Sequence, residues 1–450
     1  MTASIKANPH VFLREIKKQD TNGWVTKNTA ILIVHGIGNQ LPLETLDQFG
    51  RGLLNQFGKE LRDHLKISHE IVAKPAEGAG GVWFDNVLRI SKTGDEHYID
   101  LYEYYWANYA QDKATGKDIR LWLNGVISGA KIFYNDNANL GETYMNNSIF
   151  FDKKTGKFKG GRYRLFISVL SKVLFFLDFL SQAINFLVSL IPYIGKFADS
   201  YLQKYADGKI LDITNVIGEV VVYNVSDPKS KFYDVRRKIL DEAVVAIRYL
   251  IEKVTINDPA AGDNSMNLYY PSVVIAGHSL GSQISYDAIN KINLLINEGE
   301  ISTYDKNGIC KTNDKLTIAG QLNGFITFGC PLDKIVFFLR ENIPAKDYLR
   351  VQFLDHYHGF KQRSTNLIPN GGRTRTKTLQ SSCALKPHLK DVKWRNYYDD
   401  QDYVSGGLDF YEGLTNINCQ FKKIPFGFTH SNYWDSSDFF KDIIHEYLSN

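Results

Sequence analysis

Five consecutive residues, Gly277-His278-Ser279-Leu280-Gly281, carry the sharpest chemical signal in the chain. A serine hydroxyl is a weak nucleophile until a base takes its proton and the backbone holds it clear of its surroundings. A G-x-S-x-G turn between a strand and a helix does the second job. It forces the serine into a strained conformation and leaves no room for side chains two residues away on either side. The context for such a turn is present. Ser272-Val-Val-Ile-Ala276 is a short apolar run of the kind that forms a strand buried on both faces, and Ile284, Ala288, Ile289 and Ile292 continue with helical spacing. Ser279 is therefore the candidate nucleophile, with Gly277 and Gly281 as motif glycines. The plainer alternative is a glycine-flanked turn with an idle serine. A second glycine-containing turn, His35-Gly36-Ile37-Gly38, ends another apolar run, Ala30-Ile-Leu-Ile-Val34. Its glycines allow close backbone approach to a substrate, although an ordinary strand-end turn would use them too.

These motifs must be positioned by a scaffold, and the hydrophobic periodicity describes one. After Pro42, residues Leu43, Leu46, Phe49, Leu53, Leu54, Phe57 and Leu61 have helical spacing, and strand-like runs follow near Ile71, at Val82–Ile90 and at Tyr98–Trp106. A helical pattern over Tyr233–Val254 precedes the serine-bearing strand. Further strands are expected at Asn323–Phe328, Val392–Tyr397 and Asn416–Phe421, with a terminal amphipathic helix over Ser436–Asn450. Alternating strands and helices predict a mostly parallel sheet with helices on both faces. Ligands on such sheets bind at the carboxyl ends of the strands, where both glycine motifs fall. The aromatic run Tyr102-Glu-Tyr-Tyr-Trp106 has strand spacing and reads as core rather than as a substrate platform.

Residues 1–28 read as a polar leader and residues 29–450 as one domain, interrupted by a hydrophobic insertion at 127–209. Within it, Phe179–Gly195 is uncharged, at the lower limit of about 17 residues for a membrane span. The periodicity speaks for an amphipathic helix. Phe166, Leu170, Val173, Leu177, Leu180, Ile184, Leu187 and Ile191 step by fours and threes, with Ser171, Asp178, Ser181, Gln182, Asn185 and Ser189 opposite. The insertion is read as a cap; a packed helix, a lid, a membrane-surface helix and a span stand as the alternatives for 165–191.

Composition narrows the classes. In 450 residues, 44% are hydrophobic, 13% aromatic and only four are cysteine, which excludes disorder and a disulfide-dense scaffold. The net charge of +4 is too small for nucleic acid to be the main partner. Cys310, Cys330, Cys383 and Cys419 have no metal-ligand spacing and read as free thiols in a reducing, cytoplasmic setting. The charged N-terminus does not resemble a secretory signal. No metal-binding or nucleotide-binding motif is present, so no cofactor is implied. The basic loop containing Lys361, Arg363, Arg373, Arg375 and Lys377 reads as solvated, with anionic head groups as the alternative partner.

Taken together, the His-Gly turn after an early strand and the G-x-S-x-G turn resemble the α/β-hydrolase superfamily, its lipase-like and esterase-like members in particular. The resemblance covers most of the chain outside the leader and the insertion. It implies an eight-stranded, mostly parallel sheet and the chain order serine, acid, histidine. It also implies an oxyanion hole from the backbone N–H groups of Leu280 and Ile37, with Gly36 and Gly38 flanking the latter.

That order leaves His356, His358, His388, His430 and His445 as candidate bases. His430 stands before the terminal helix, the position the resemblance implies, and is the choice. His445 falls within the helix, His356 and His358 alternate along a strand-like run, and His388 lies in a polar, basic stretch. For the acid, Asp402 follows the Val392–Tyr397 strand, with Asp399 and Asp400 read as solvated turn carboxylates. Asp333, in Gly329-Cys-Pro-Leu-Asp333, is the alternative acid, or else a helix cap.

The expectation is a serine hydrolase acting on carboxylic esters of lipids or other apolar acyl substrates through an acyl-enzyme. The alternatives are a thioesterase, peptidase or acyltransferase on the same fold, and a non-catalytic membrane-associated protein that retains it. Peripheral membrane contact would run through 165–191.

Overall fold

The computed structural model describes residues 8–16, 21–38, 40–72, 84–110, 219–224, 229–258, 263–301, 320–332, 385–402, 404–408, 411–422 and 429–449, with isolated residues at 113–115, 118, 121, 122, 318, 360 and 361. The amphipathic pattern at 165–191, the rest of the insertion up to 209, Asp333, His356 and His358 lie outside the described residues.

Nine strands form one sheet: β1 (His10–Phe12), β2 (Thr29–Val34), β3 (Leu65–Ile71), β4 (Asn86–Lys92), β5 (Tyr98–Tyr104), β8 (Ser272–His278), β9 (Leu322–Phe328), β10 (Lys393–Tyr398) and β11 (Leu414–Asn418). Their spatial order is β1-β11-β10-β9-β8-β2-β5-β4-β3. Neighbours from β1 to β5 pair in parallel; β4 runs against both β5 and β3. A separate hairpin joins β6 (Val254–Asp258) to β7 (Asp263–Leu268). Among the described residues the helices are α1 (Glu44–Gln56), α2 (Lys59–Arg62), α3 (Ala107–Ala110), α4 (Tyr233–Glu252), α5 (Leu280–Glu298) and α6 (Ser437–Ile443), the last continued by a wider turn over Ile444–Leu448.

The two runs chosen from the sequence as doubly buried strands, in β2 and β8, are buried at every position and lie side by side in the sheet. Successive side chains in a strand point to opposite faces, so each run feeds two cores. Ala30, Leu32, Val34, Val273 and Ile275 pack with α4 and α5, through Ile247, Leu250, Ile284 and Ile292. Ile31, Ile33, Val274 and Ala276 pack on the other face with Phe49 and Leu53 of α1 and Phe439 and Ile443 of α6. The result is a mostly parallel sheet covered on both faces.

Several boundaries differ from the sequence reading. Residues 1–28 are not merely a polar leader: β1 adds a parallel edge strand beside β11, and Leu13, Trp24 and Val25 are buried in the α1–α6 core. This ninth strand exceeds the eight implied by the resemblance. The expected strand at Val82–Ile90 is found at Asn86–Lys92, and the one at Asn416–Phe421 begins at Leu414 and ends at Asn418. The terminal helix keeps regular α geometry only to Ile443. Tyr102, Tyr104 and Trp106 are wholly buried in the α4–α5 core, as expected of core aromatics.

Candidate active site

Ser279 lies between β8 and α5 with φ 52° and ψ −125°. A non-glycine residue in that region is strained and persists only when its surroundings over-determine it. Three contacts do so. The Ser279 N–H donates to the Phe328 carbonyl at the end of β9 (3.0 Å), the Ser282 N–H donates back to the Ser279 carbonyl (3.0 Å), and the Ser282 hydroxyl donates to the Gly277 carbonyl (2.6 Å). The motif glycines are required by space. A Cβ on Gly281 would stand 2.2 Å from the Val34 carbonyl oxygen, and one on Gly277 would stand 2.6 Å from the Ser282 Cα. Ser279 is 1% exposed, and its Oγ makes no hydrogen bond among the described residues.

His430 and Asp402 come together as the sequence reading expected. The His430 Nδ1 lies 2.9 and 3.1 Å from the two Asp402 carboxylate oxygens. An ionised carboxylate only accepts, so Nδ1 carries a proton and Nε2 is the ring nitrogen that Asp402 does not engage. Asp402 also accepts from the Val404 N–H (2.9 Å) and the Tyr433 hydroxyl (3.0 Å). Burial alone would raise the Asp402 carboxyl, but His430, the Val404 N–H and the Ser405 side chain outweigh it and hold the group well below the usual carboxylate range.

Both halves converge on the end of β9. Gly329, directly after β9, is so close to His430 that a Cβ there would meet its Cε1 at 2.9 Å and the His278 Nε2 at 3.3 Å. Ser279 is bonded to Phe328, one residue earlier. The His-Gly turn closes the other side. A Cβ on Gly36 would stand 2.7 Å from the Ser279 Cβ and 2.8 Å from the His278 Nδ1. Gly38 is a glycine for conformation rather than space, with φ 120° and an open neighbourhood.

The two candidate oxyanion donors belong to the two motifs that meet here. Leu280 opens α5, so its N–H belongs to the first turn, where no intrahelical acceptor exists and the helix dipole favours negative charge. Ile37 lies in a turn held at both ends. The His35 Nδ1 donates to the Gly36 carbonyl (2.7 Å) and its Nε2 accepts from the Trp106 N–H (3.0 Å), while the ring stacks on Trp106 at 4.9 Å. On the far side, the Gly38 N–H donates to Glu219 (2.9 Å). Burial pushes the His35 imidazole down to about 4, so it works as a neutral strut.

Several contributors to this arrangement escaped the sequence reading. Asp399, expected to be a solvated turn carboxylate, is 1% exposed. It accepts from the Thr429 hydroxyl (2.9 Å), the Gln401 N–H (3.0 Å) and the Phe421 N–H (2.7 Å), and so ties the acid loop to the residue before His430. Asp400 is exposed as expected, accepting from Asn418 at 3.0 Å. His278 stacks beside His430 with ring centroids 4.9 Å apart and donates from Nε2 to the His430 carbonyl at 3.2 Å. Burial, reinforced by the neighbouring His430, lowers its imidazole to about 3. A buried Arg395–Asp442 pair (2.6 Å), joined by the Tyr397 hydroxyl, anchors α6 to β10 and with it the loop bearing His430. Asp399 and Asp402 stand three residues apart, and only the fold shows that both are buried. His278 stood inside the serine motif and was open to notice there.

A polar cleft of about 460 Å³ lies between α1 and the loop after His430, lined by Gln48, Arg51, Asn55, Ser431, Trp434 and Asp435 among others. It does not include Ser279. No group of residues suited to a metal ion occurs among the described residues. Cys330 and Cys419 are both buried. No described helix is long and apolar enough to cross a membrane. Comparison of the chain with protein-family models, with curated proteins and with solved structures finds no match.

Proposed function

We propose that the protein is a serine hydrolase of the α/β-hydrolase type, cleaving carboxylic esters of lipids or other apolar acyl compounds through an acyl-enzyme. One observation carries the reading: a strained, buried serine at a strand-to-helix turn shares the end of β9 with a histidine whose far nitrogen is fixed by a carboxylate. A hydroxyl held at φ 52° with no hydrogen bond among the described residues is costly for a merely structural residue. The same arrangement is what acyl transfer requires.

In this mechanism the Ser279 Oγ attacks the ester carbonyl carbon while His430 Nε2 takes the hydroxyl proton. The charge that develops on the carbonyl oxygen meets the N–H groups of Leu280 and Ile37, each donor being worth about 3 kcal/mol when fixed in a dry site. Asp402 stabilises the imidazolium. The C–O bond to the alcohol then breaks, and His430 returns the proton to the leaving oxygen. Water, deprotonated by the same nitrogen, attacks the acyl-enzyme, releasing the acid and restoring Ser279.

The preference for apolar acyl groups rests on the uncharged sequence run Phe179–Gly195 and the hydrophobic pattern around it. Peripheral contact with a membrane through 165–191 belongs to the same proposal and is tested by liposome flotation with and without that segment. Hydrolysis of a panel of oxygen esters of graded chain length, thioesters and peptides tests the substrate class. The expected result is activity that rises with acyl length on oxygen esters and disappears in Ser279→Ala and His430→Ala. Unchanged turnover in either variant would end the proposal, and a preference for thioesters or peptides would redirect it.

A further inference from the structure

Among the described residues the nine-stranded sheet ends in β3, a seven-residue strand paired on one side only, with β4. Long open edges are normally blunted by charged side chains, proline, a bulge or a covering element, and of these β3 carries only the charges of Lys66 and Glu70 among the described residues. Here the register with β4 is unbroken from Leu65 to Ile71, and most of the strand is exposed, including Ile67 at 56% and Ile71 at 76%.

The phase of the existing ladder fixes which backbone groups face outward. The His64 carbonyl accepts from the Thr93 N–H (2.9 Å) at one end of β3, and the Val72 N–H donates to the Asp85 carbonyl (3.0 Å) at the other. Even-numbered residues therefore turn their N–H and C=O groups towards β4. Those of residues 65, 67, 69 and 71 point away from the sheet. A second antiparallel strand must align outward-facing residues with outward-facing residues.

For two copies of β3 related by a twofold axis, that rule restricts the centre of symmetry to a residue position. A centre at Ser68 pairs Leu65 with Ile71, Lys66 with Glu70 and Ile67 with His69 in both directions, so all seven residues are matched. Centres at Ile67 or His69 leave residues at one end of the strand unmatched and align Lys66 or Glu70 with Ser68 instead. Only the Ser68 centre sets each lysine opposite a glutamate, and it does so at non-hydrogen-bonded positions, where facing side chains come closest. The same register lays Leu65 over the exposed Ile71 of the other copy.

We propose that the β3 edge is a homodimer interface, in which two copies of the chain pair antiparallel about Ser68 and join their sheets into one. The contact is isologous and uses the same edge twice, so it closes as a dimer rather than growing into a fibre. The opposite edge, β1, is only three residues long and takes no part.

The test is sedimentation of the full chain and of charge-reversed variants over a range of concentrations. The wild type is expected to show a monomer–dimer equilibrium. Lys66→Glu and Glu70→Lys each place like charges opposite one another twice, and each should weaken self-association by roughly tenfold or more. Mixing the two variants should restore dimers, because every facing pair is then opposite in charge. Ile67→Pro removes an outward N–H that β4 does not use, so it should abolish the dimer while leaving the folded monomer's circular dichroism unchanged. A wild type that remains monomeric at all concentrations, or a dimer indifferent to the charge reversals and their mixture, would overturn the proposal.

Discussion

Ser279 bears two costs that folding alone gives no reason to keep, and substitution can remove them one at a time. The first is backbone strain: a residue with a Cβ at φ 52°, ψ −125° costs about 1–3 kcal/mol. The second is a buried hydroxyl without a hydrogen bond among the described residues, worth about 1–3 kcal/mol. Ser279→Ala keeps the Cβ and removes the hydroxyl, so it should stabilise the protein by about 1–3 kcal/mol. Ser279→Gly removes both costs but loses about 0.5–1 kcal/mol to the greater freedom of glycine in the unfolded chain. The glycine variant should therefore exceed the alanine variant by up to about 2 kcal/mol. The assay is urea unfolding at neutral pH, comparing midpoints at constant slope. With a slope of about 3 kcal/mol/M, each kcal/mol moves the midpoint by about 0.3 M. The expected order of midpoints is wild type, alanine, glycine. An alanine variant less stable than wild type, or a glycine variant less stable than alanine, would refute the view that stability is surrendered here to hold a nucleophile.

Other consequences follow from the same geometry. Asp402→Asn turns an amide donor towards His430 Nδ1, moves the ring proton to Nε2 and should lower ester turnover about 10⁴-fold, while Asp400→Asn leaves it unchanged. Gly36→Ala would drive a Cβ to 2.7 Å from the Ser279 Cβ, and steady-state kinetics should show at least a roughly 100-fold loss of kcat/KM with the fold retained. His35 and His278, lowered to about 4 and about 3 from 6.5, contribute stability that is present above pH 6.5 and lost as pH falls through those values. At pH 5 the loss is about 2 kcal/mol for each. Glu103, buried and raised to about 7 from 4.5, acts in the opposite sense: its contribution is present below about pH 4.5 and lost as pH rises through 7. Urea titrations of Glu103→Gln should accordingly lose about 2 kcal/mol more than wild type between pH 7 and pH 5, and equal losses would contradict that assignment.

The central strands were legible because a doubly buried parallel strand is a continuous apolar run, as in Ala30–Val34 and Ser272–Ala276. Edge elements were less so: β1 was read as part of a polar leader, and of β3 only the end near Ile71 stood out. In both, one side of the strand meets solvent, so polar residues such as His10, Ser68 and His69 interrupt the pattern without ending the strand. The β6–β7 hairpin is polar and short, and it escaped for the same reason. Motif residues could be chosen because steric necessity is local: Gly277 and Gly281 are fixed by atoms within a few residues or on the adjoining strand. The histidine and acid required long-range information, and the order of the chain supplied enough of it to bring His430 and Asp402 into contact. Asp399 was misjudged because its partners, Thr429 and Phe421, arrive from distant parts of the chain, and no spacing in the sequence announces such a buried brace.

The most direct test of the central claim is the intact mass of the protein after exposure to a fluorophosphonate, with Ser279→Ala treated alongside. An activated serine displaces fluoride from phosphorus and retains the phosphonyl group. The account predicts one adduct on the wild type and none on the variant. A folded wild type that stays unmodified both with and without detergent or liposomes, or an adduct that persists in Ser279→Ala, would contradict it.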